Sequence, residues 1–233
     1  MKKLSCFLLL LLLLSCSQKN KICIEGELEN GNGRMLYLSL LTDDGLQTID
    51  SVKVRRNSFR FKIQTGDDEL IAVGQPVFLQ LSFSPENGLT TLARSGETVH
   101  ITADANKLVS SYKVTGPEDA MLMWELDSAL SVFVNYTDNL SQVYSYYMDE
   151  DSVRGKVERS YNKAVEMHQQ YLRSFIMAHP RSFSTMIAFY QKYNNLRFFD
   201  ETKNADLLRK LTESLAECYP NSQYVRYLQL RCR

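Results

Sequence analysis

The chain has 233 residues, 44% hydrophobic and 23% charged, with 27 basic and 27 acidic side chains and no net charge at pH 7. That is the composition of an ordinary globular protein, long enough for one or two domains at ~100–200 residues each. The neutral balance argues against a nucleic-acid partner, which calls for a strongly basic face.

The first sixteen residues read as a secretory leader. Met1-Lys2-Lys3 is a basic start, Phe7 to Leu14 is an unbroken apolar run, and Leu13-Leu14-Ser15-Cys16 closes it with a small residue and a cysteine. The run is too short to span a bilayer, which needs roughly 20 apolar residues. The Cys16 ending resembles the lipobox of bacterial lipoproteins, whose cysteine is acylated and becomes the new N-terminus. Residues 1–15 are therefore expected to be a signal peptide and 16–21 a tether. Loss of Lys2 and Lys3 with the leader makes the mature chain slightly acidic.

From 22 to 116 the pattern is strand-like. Ile22, Ile24 and Leu28 lead one face of a first strand. Asn30-Gly31-Asn32-Gly33 supplies turn chemistry, because Asn and Gly tolerate positive φ. Met35 to Leu40 follows, and the two segments read as a hairpin. Further strands are expected at 47–54, 59–63, 77–83, 98–102 and 112–114. Phe59-Arg60-Phe61-Lys62-Ile63 alternates most cleanly, apolar in and basic out. Roughly eight short strands between turns predict an antiparallel β-sandwich-like domain.

At Gly116-Pro117 the period changes. Leu122, Leu126, Ala129, Phe133, Tyr136, Leu140, Val143 and Tyr147 step by four and three, a heptad stripe on one long helix. Asp149-Glu150-Asp151 breaks it, and acids there suit the start of a second helix through the backbone dipole. Val157, Tyr161, Ala164, His168, Tyr171 and Phe175 repeat the spacing. The two helices should fold back as an antiparallel hairpin, with Leu126, Phe133 and Leu140 facing Tyr171, Ala164 and Val157. His179-Pro180-Arg181-Ser182 and Tyr219-Pro220-Asn221-Ser222 then punctuate three shorter helices, at about 182–194, 203–218 and 222–231. In each, proline stops one helix and the serine two places on caps the next. The expected class is α+β: the β domain at 22–116, then an all-helical domain at 117–233.

Residues that carry chemistry are sparse. His100, His168 and His179 share no metal-ligand spacing, and His168 falls on the stripe, where a neighbour should satisfy it. No Gly-x-Ser-x-Gly elbow, Walker loop or Gly-x-Gly-x-x-Gly is present. Asp149, Glu150 and Asp151 lack the rest of a calcium loop. Phe133, Tyr136, Tyr144, Tyr146 and Tyr147 read as core rather than as a sugar-binding groove. No catalytic residue, cofactor or metal site is expected. Of five cysteines, Cys6 lies in the leader and Cys16 is the anchor; Cys23 reads as a core strand residue, and no C-x-x-C exists. Cys218 and Cys232 have two readings of equal weight. One is a disulfide stabilising by roughly 3 kcal/mol. The other is a buried small side chain at Cys218 and a frayed terminal thiol at Cys232. Asp151-Ser152-Val153 resembles the short O-glycosylation motif of Bacteroidetes, with Ser152 as acceptor; Asp50-Ser51-Val52 and Asp127-Ser128-Ala129 share the pattern.

A family resemblance rests on Ile24-Glu25-Gly26, Leu36-Tyr37-Leu38, Asp50-Ser51-Val52, Asn57-Ser58-Phe59-Arg60-Phe61, Ser95-Gly96-Glu97-Thr98-Val99 and Val114-Thr115-Gly116. In order and spacing these resemble the domain of unknown function 4369 of Bacteroidetes lipoproteins, over about residues 20–120. Ser58 stands where that family usually has glycine. The helical part is similar to the segment that follows this domain in larger members, where a thioredoxin-like domain with C-x-x-C comes next. The resemblance implies a relative of thiol–disulfide interchange lipoproteins that lacks the catalytic half. It carries no catalytic residue onto this chain.

The expected function is that of a lipid-anchored, periplasm-facing, non-enzymatic binding or scaffold module. Its partners would be the membrane, through the anchor, and a periplasmic protein; nucleic acid is not one. Two alternatives are an accessory to a separate thioredoxin-like oxidoreductase and a glycan-binding protein. Ser17-Gln18-Lys19-Asn20-Lys21 has neither the aspartate of inner-membrane retention nor the acidic run of surface export. That points to the inner leaflet of the outer membrane.

Overall fold

The computed structural model describes residues 20–42, 44–66, 71, 73–84 and 88–232. The expected signal peptide, Cys16 and most of the tether lie outside the described residues. The protein is α+β. It divides into two compact units with the boundary between Met121 and Leu122.

The first unit holds two four-stranded sheets. One has β4 (Ser58–Gln64), β1 (Lys21–Glu29), β7 (Thr98–Asp104) and β8 (Lys113–Thr115) in that order. The other has β3 (Gly45–Lys53), β2 (Met35–Thr42), β5 (Val77–Ser82) and β6 (Gly88–Ala93). Alternation buries Ile22, Ile24 and Leu28 of β1, Phe59 and Phe61 of β4, and Val99 and Ile101 of β7. Leu36, Leu38 and Leu40 of β2 and Phe78, Leu79 and Leu81 of β5 form the other sheet's share of the core. Each large side chain so buried stabilises by roughly 1.5–3 kcal/mol.

Two expectations are corrected here. The segments flanking Asn30-Gly31-Asn32-Gly33 do not form a hairpin: β1 pairs with β4 and β7, and β2 with β3 and β5. The turn does use positive φ, at Asn30 (59°) and Gly33 (86°). It carries the chain from one sheet to the other, and bonds from Gly33 N–H to Val54 O and from Val54 N–H to Arg34 O hold it there. Turn chemistry supplies the reversal; which sheet receives the next strand is decided by the apolar faces. The pairing is also not wholly antiparallel, because β1 runs parallel to β7. This close approach needs a glycine: a Cβ on Gly26 would lie 1.7 Å from Ile101 O. Strand β6 and the short helix α1 (Leu108–Ser111) were not anticipated.

At the end of this unit the buried Asp119 carboxylate, in the first turn of helix α2 (Glu118–Tyr146), meets Arg94 Nη2 at 3.2 Å. An acid there also suits the positive end of the helix dipole.

The second unit contains the rest of α2, then α3 (Asp151–Ala178), α4 (Ser184–Tyr190), α5 (Ala205–Cys218) and α6 (Gln223–Arg231). It is not all-helical. The helix expected at 182–194 ends at Tyr190, and Lys192–Tyr193 (β9) pairs with Leu196–Arg197 (β10) about Asn194, whose φ is 51°. The two Pro-x-Ser corners share their serine hydrogen bonds, although Ser222 is itself the cap of α6 whereas Phe183, not Ser182, precedes α4. Ser182 and Ser222 each donate a backbone N–H to the carbonyl three residues back, at 3.0 Å. Each hydroxyl then accepts from the amide two residues on, at 3.2 Å. Phe183, fully buried, packs on Tyr219 and Tyr224 and so joins the two corners.

Candidate functional site

The long helices α2 and α3 run antiparallel, and their side chains meet close to the expected register. The Tyr171 hydroxyl donates to Glu125 Oε1 at 3.0 Å, and the Phe133 ring lies 5.0 Å from that of His168. Leu140 and Val157 share one groove further along. The Phe133 contact falls one helical turn from the expected Ala164. Phe133 and His168 also pack on Phe198, at 5.2 and 4.5 Å, and Phe133 on Tyr193 at 5.5 Å.

The seam is not closed along its length. A groove of about 670 Å³ lies between the helices. Ala129, Val132, Phe133 and Tyr136 line it from α2; Ser160, Lys163, Ala164, Met167, His168 and Tyr171 line it from α3. Phe133 and His168 are buried, whereas Val132 is 70% and Met167 61% exposed. This is the volume and character of a small-molecule site, apolar walls with a few polar groups, of the kind found between helices of bundles. A second groove, of about 460 Å³, follows toward the hairpin turn and is lined among others by Leu140, Tyr144, Val157, Tyr161 and Tyr193. There the walls are more polar, and Tyr193 donates its hydroxyl to Asp138 Oδ1 at 2.7 Å.

His168 is satisfied as expected. Its Nε2 lies 2.7 Å from Gln191 Oε1, so that nitrogen carries the proton and donates. Burial pushes the imidazole below its ordinary pKa, and the bond to Gln191 opposes this in part. Burial likewise raises the Tyr171 hydroxyl, with Glu125 adding to the shift. A neutral imidazole and a neutral phenol therefore line the groove, and among the described residues that line it Lys163 carries the charge.

The aromatic cluster read as core divides. Only Phe133 is buried, while Tyr136, Tyr144, Tyr146 and Tyr147 are exposed. Two helices alone cannot cover a stripe on every side. Tyr193 and Phe198 pack on Phe133, and further along Tyr193 reaches only as far as the groove it shares with Leu140 and Tyr144.

The remaining expected sites are dispersed. Cys218 and Cys232 are both free and exposed; Cys232 Sγ instead lies 3.2 Å from Thr212 Oγ1, which itself donates to Leu208 O. Cys23 is buried on β1. Ser152 is exposed in the first turn of α3 rather than in a free turn. Ser51 is exposed on β3, and Ser128 donates to Trp124 O at 2.7 Å within α2. His100 lies on the outer face of β7, its Nδ1 3.3 Å from Glu25, which also pairs with Arg60 across β1 and β4. Among the described residues no group of three or more His, Cys, Asp or Glu is placed to hold a metal ion, and no helix is long and apolar enough to cross a membrane.

The groove was hidden in a correct pattern. The heptad spacing marks a face on each helix, but only Val132 and Met167, apolar and off the stripe, signal that apolar surface extends beyond the seam. The chain matches no model of a known protein family and no curated protein.

Proposed function

We propose that this protein is a lipoprotein anchored through Cys16 at the inner leaflet of the outer membrane, and that it serves there as a non-enzymatic binding module. The groove between α2 and α3 is its binding element. The observation that carries this reading is the juxtaposition of Val132 and Met167, both largely exposed, along an apolar trough with a buried floor. Apolar side chains held beside a preformed concavity favour a ligand that removes them from water, at roughly 25 cal/mol per Å² of apolar area. The anchor is supported by the leader ending Leu13-Leu14-Ser15-Cys16.

Two experiments test the two halves. Fractionation of cells carrying Cys16→Ser should release the protein from membranes and abolish labelling by fatty-acid analogues; unchanged attachment contradicts the anchor. A photo-crosslinking residue at Val132 should capture a molecule in intact cells that the same residue at exposed Lys210 does not. Equal capture at both positions contradicts the groove.

Glycan binding has one observation in its favour. Tyr144, Tyr146 and Tyr147 are exposed toward the hairpin turn, with aromatic faces of the kind that stack on sugar rings. Retention on a polysaccharide matrix that is lost in Tyr146→Ala and Tyr147→Ala, with the groove untouched, would move the function there. The redox-accessory alternative rests on the family resemblance alone.

A further inference from the structure

Resting on the groove as the binding element, we propose that it takes an unbranched acyl chain bearing an anionic head, with Lys163 meeting the head. The polar groups at the two ends of the groove differ in charge: Lys163 stands at the end nearer the hairpin turn, whereas Tyr171 at the other end is bonded to Glu125. The helices are antiparallel, and Phe133 stands opposite His168. Tyr136 therefore lies one turn nearer the hairpin turn on α2, and Lys163 and Ser160 lie one to two turns nearer it on α3. These three form that end of the trough. Val132 and Met167 wall the middle, beside Phe133 and His168; the other end is walled by Ala129 and Tyr171, whose hydroxyl is already committed to Glu125.

Length and charge agree with this orientation. The α3 wall from Ser160 to Tyr171 spans about 16 Å at 1.5 Å rise per residue, the reach of an extended acyl chain. Met167, an unbranched and polarisable side chain, adapts to a flexible chain laid beside it. Lys163 is exposed and forms no ion pair among the described residues. A carboxylate or phosphate placed there gains a charge-assisted hydrogen bond, with Ser160 and Tyr136 hydroxyls as further donors.

The full lipidated chain in its own membranes is irradiated with diazirine-bearing probes of equal chain length: a fatty acid, a fatty alcohol and a fatty amine. Crosslinked peptides are then mapped. The acid should label peptides containing 129–136 and 160–171 in preference to the amine. Lys163→Glu should weaken labelling by the acid about tenfold and leave the alcohol unchanged. Ala164→Trp, which fills the trough, should remove labelling by all three, with an unchanged thermal transition as the folding control. Equal labelling by acid and amine, insensitive to Lys163→Glu, overturns the anionic head and leaves the binding module standing. No groove labelling by any probe overturns the acyl ligand; crosslinking of Val132 to a protein then assigns the groove to a partner helix, whereas its failure to capture anything removes the binding reading too.

Discussion

The two halves of the α2 stripe carry the same heptad spacing and end in different environments. Leu122, Leu126 and Phe133 are buried, whereas Tyr136, Val143 and Tyr147 are exposed. At Phe133 the hairpin is backed by Tyr193 and Phe198 from beyond α4 as well as by His168 from α3. Toward the turn Tyr193 still reaches Asp138, but Val143 and Tyr147 stay exposed. Periodicity on a helix thus specifies a face and is silent on how many neighbours cover it. Apolar surface open to a ligand lies beside the covered half, where the exposed Val132 and Met167 flank the buried Phe133 and His168.

The sharpest way to break this comparison is to truncate one residue from each half. Phe133→Ala should cost about 3–5 kcal/mol, the range for a buried aromatic. Tyr147→Ala, on the same stripe, should stay within about 0.5 kcal/mol, as exposed substitutions do. Urea melts of both decide; equal losses would mean that the halves are energetically alike.

Gly26→Ala tests the contrast with a fully closed interior. The added methyl meets the Ile101 carbonyl in the parallel β1–β7 ladder, so the loss should be at or above the upper end of the ~1–3 kcal/mol typical of overpacking. In a melt that resolves the two units, the β unit's transition should move and the helical unit's should not.

The buried base of the hairpin should also be the acid-sensitive part. His168 has a pKa held below its ordinary 6.5 by burial. The unfolded chain therefore takes up a proton before the folded one does. The stability this residue contributes is fully present above about 6.5 and is lost as pH falls below that toward the depressed folded value. Melting temperatures between pH 7.5 and 5 should fall in the native chain and fall less in His168→Gln. Parallel slopes would place the acid sensitivity elsewhere.

A modest effect is expected at Asp138. From the stripe alone, its replacement should cost little. The structure gives it the Tyr193 hydroxyl, and the carboxylate holds that phenol above its ordinary pKa. Asp138→Ala should cost about 0.5–1.5 kcal/mol, one hydrogen bond. Double-mutant cycles with Tyr193→Phe check it, and additivity of the two losses would remove the contact from the account.

Much of the architecture was legible because it depends on local chemistry. Phe59-Arg60-Phe61 alternates and is a strand; Ser222 follows proline by two and caps its helix, while Ser182, in the same place after Pro180, takes the Ser184 amide one residue before the cap position, which Phe183 holds. What escaped depends on distant partners. Gly88 to Ala93 shows weak alternation and becomes β6 by pairing with β5. Lys192 to Arg197 continues an apparent helix until Asn194 adopts positive φ and folds β9 onto β10. The Asn-Gly repeat after β1 announces a turn, but the destination of β2 is set by the two sheets it separates. The groove follows the same rule. Val132 and Met167 are plainly apolar, and only the three-dimensional arrangement shows that they share one trough.

That trough is the central claim, and uptake of a neutral apolar fluorophore, N-phenyl-naphthylamine, by the detergent-solubilised full chain tests it most directly. With the native chain and Ala164→Trp compared above the critical micelle concentration and corrected for micelle partitioning, the account predicts saturable binding at one site per chain in the native protein. That binding should be lost in Ala164→Trp while thermal stability is unchanged or raised. Saturable binding of equal strength in both proteins, or none in either, would contradict it.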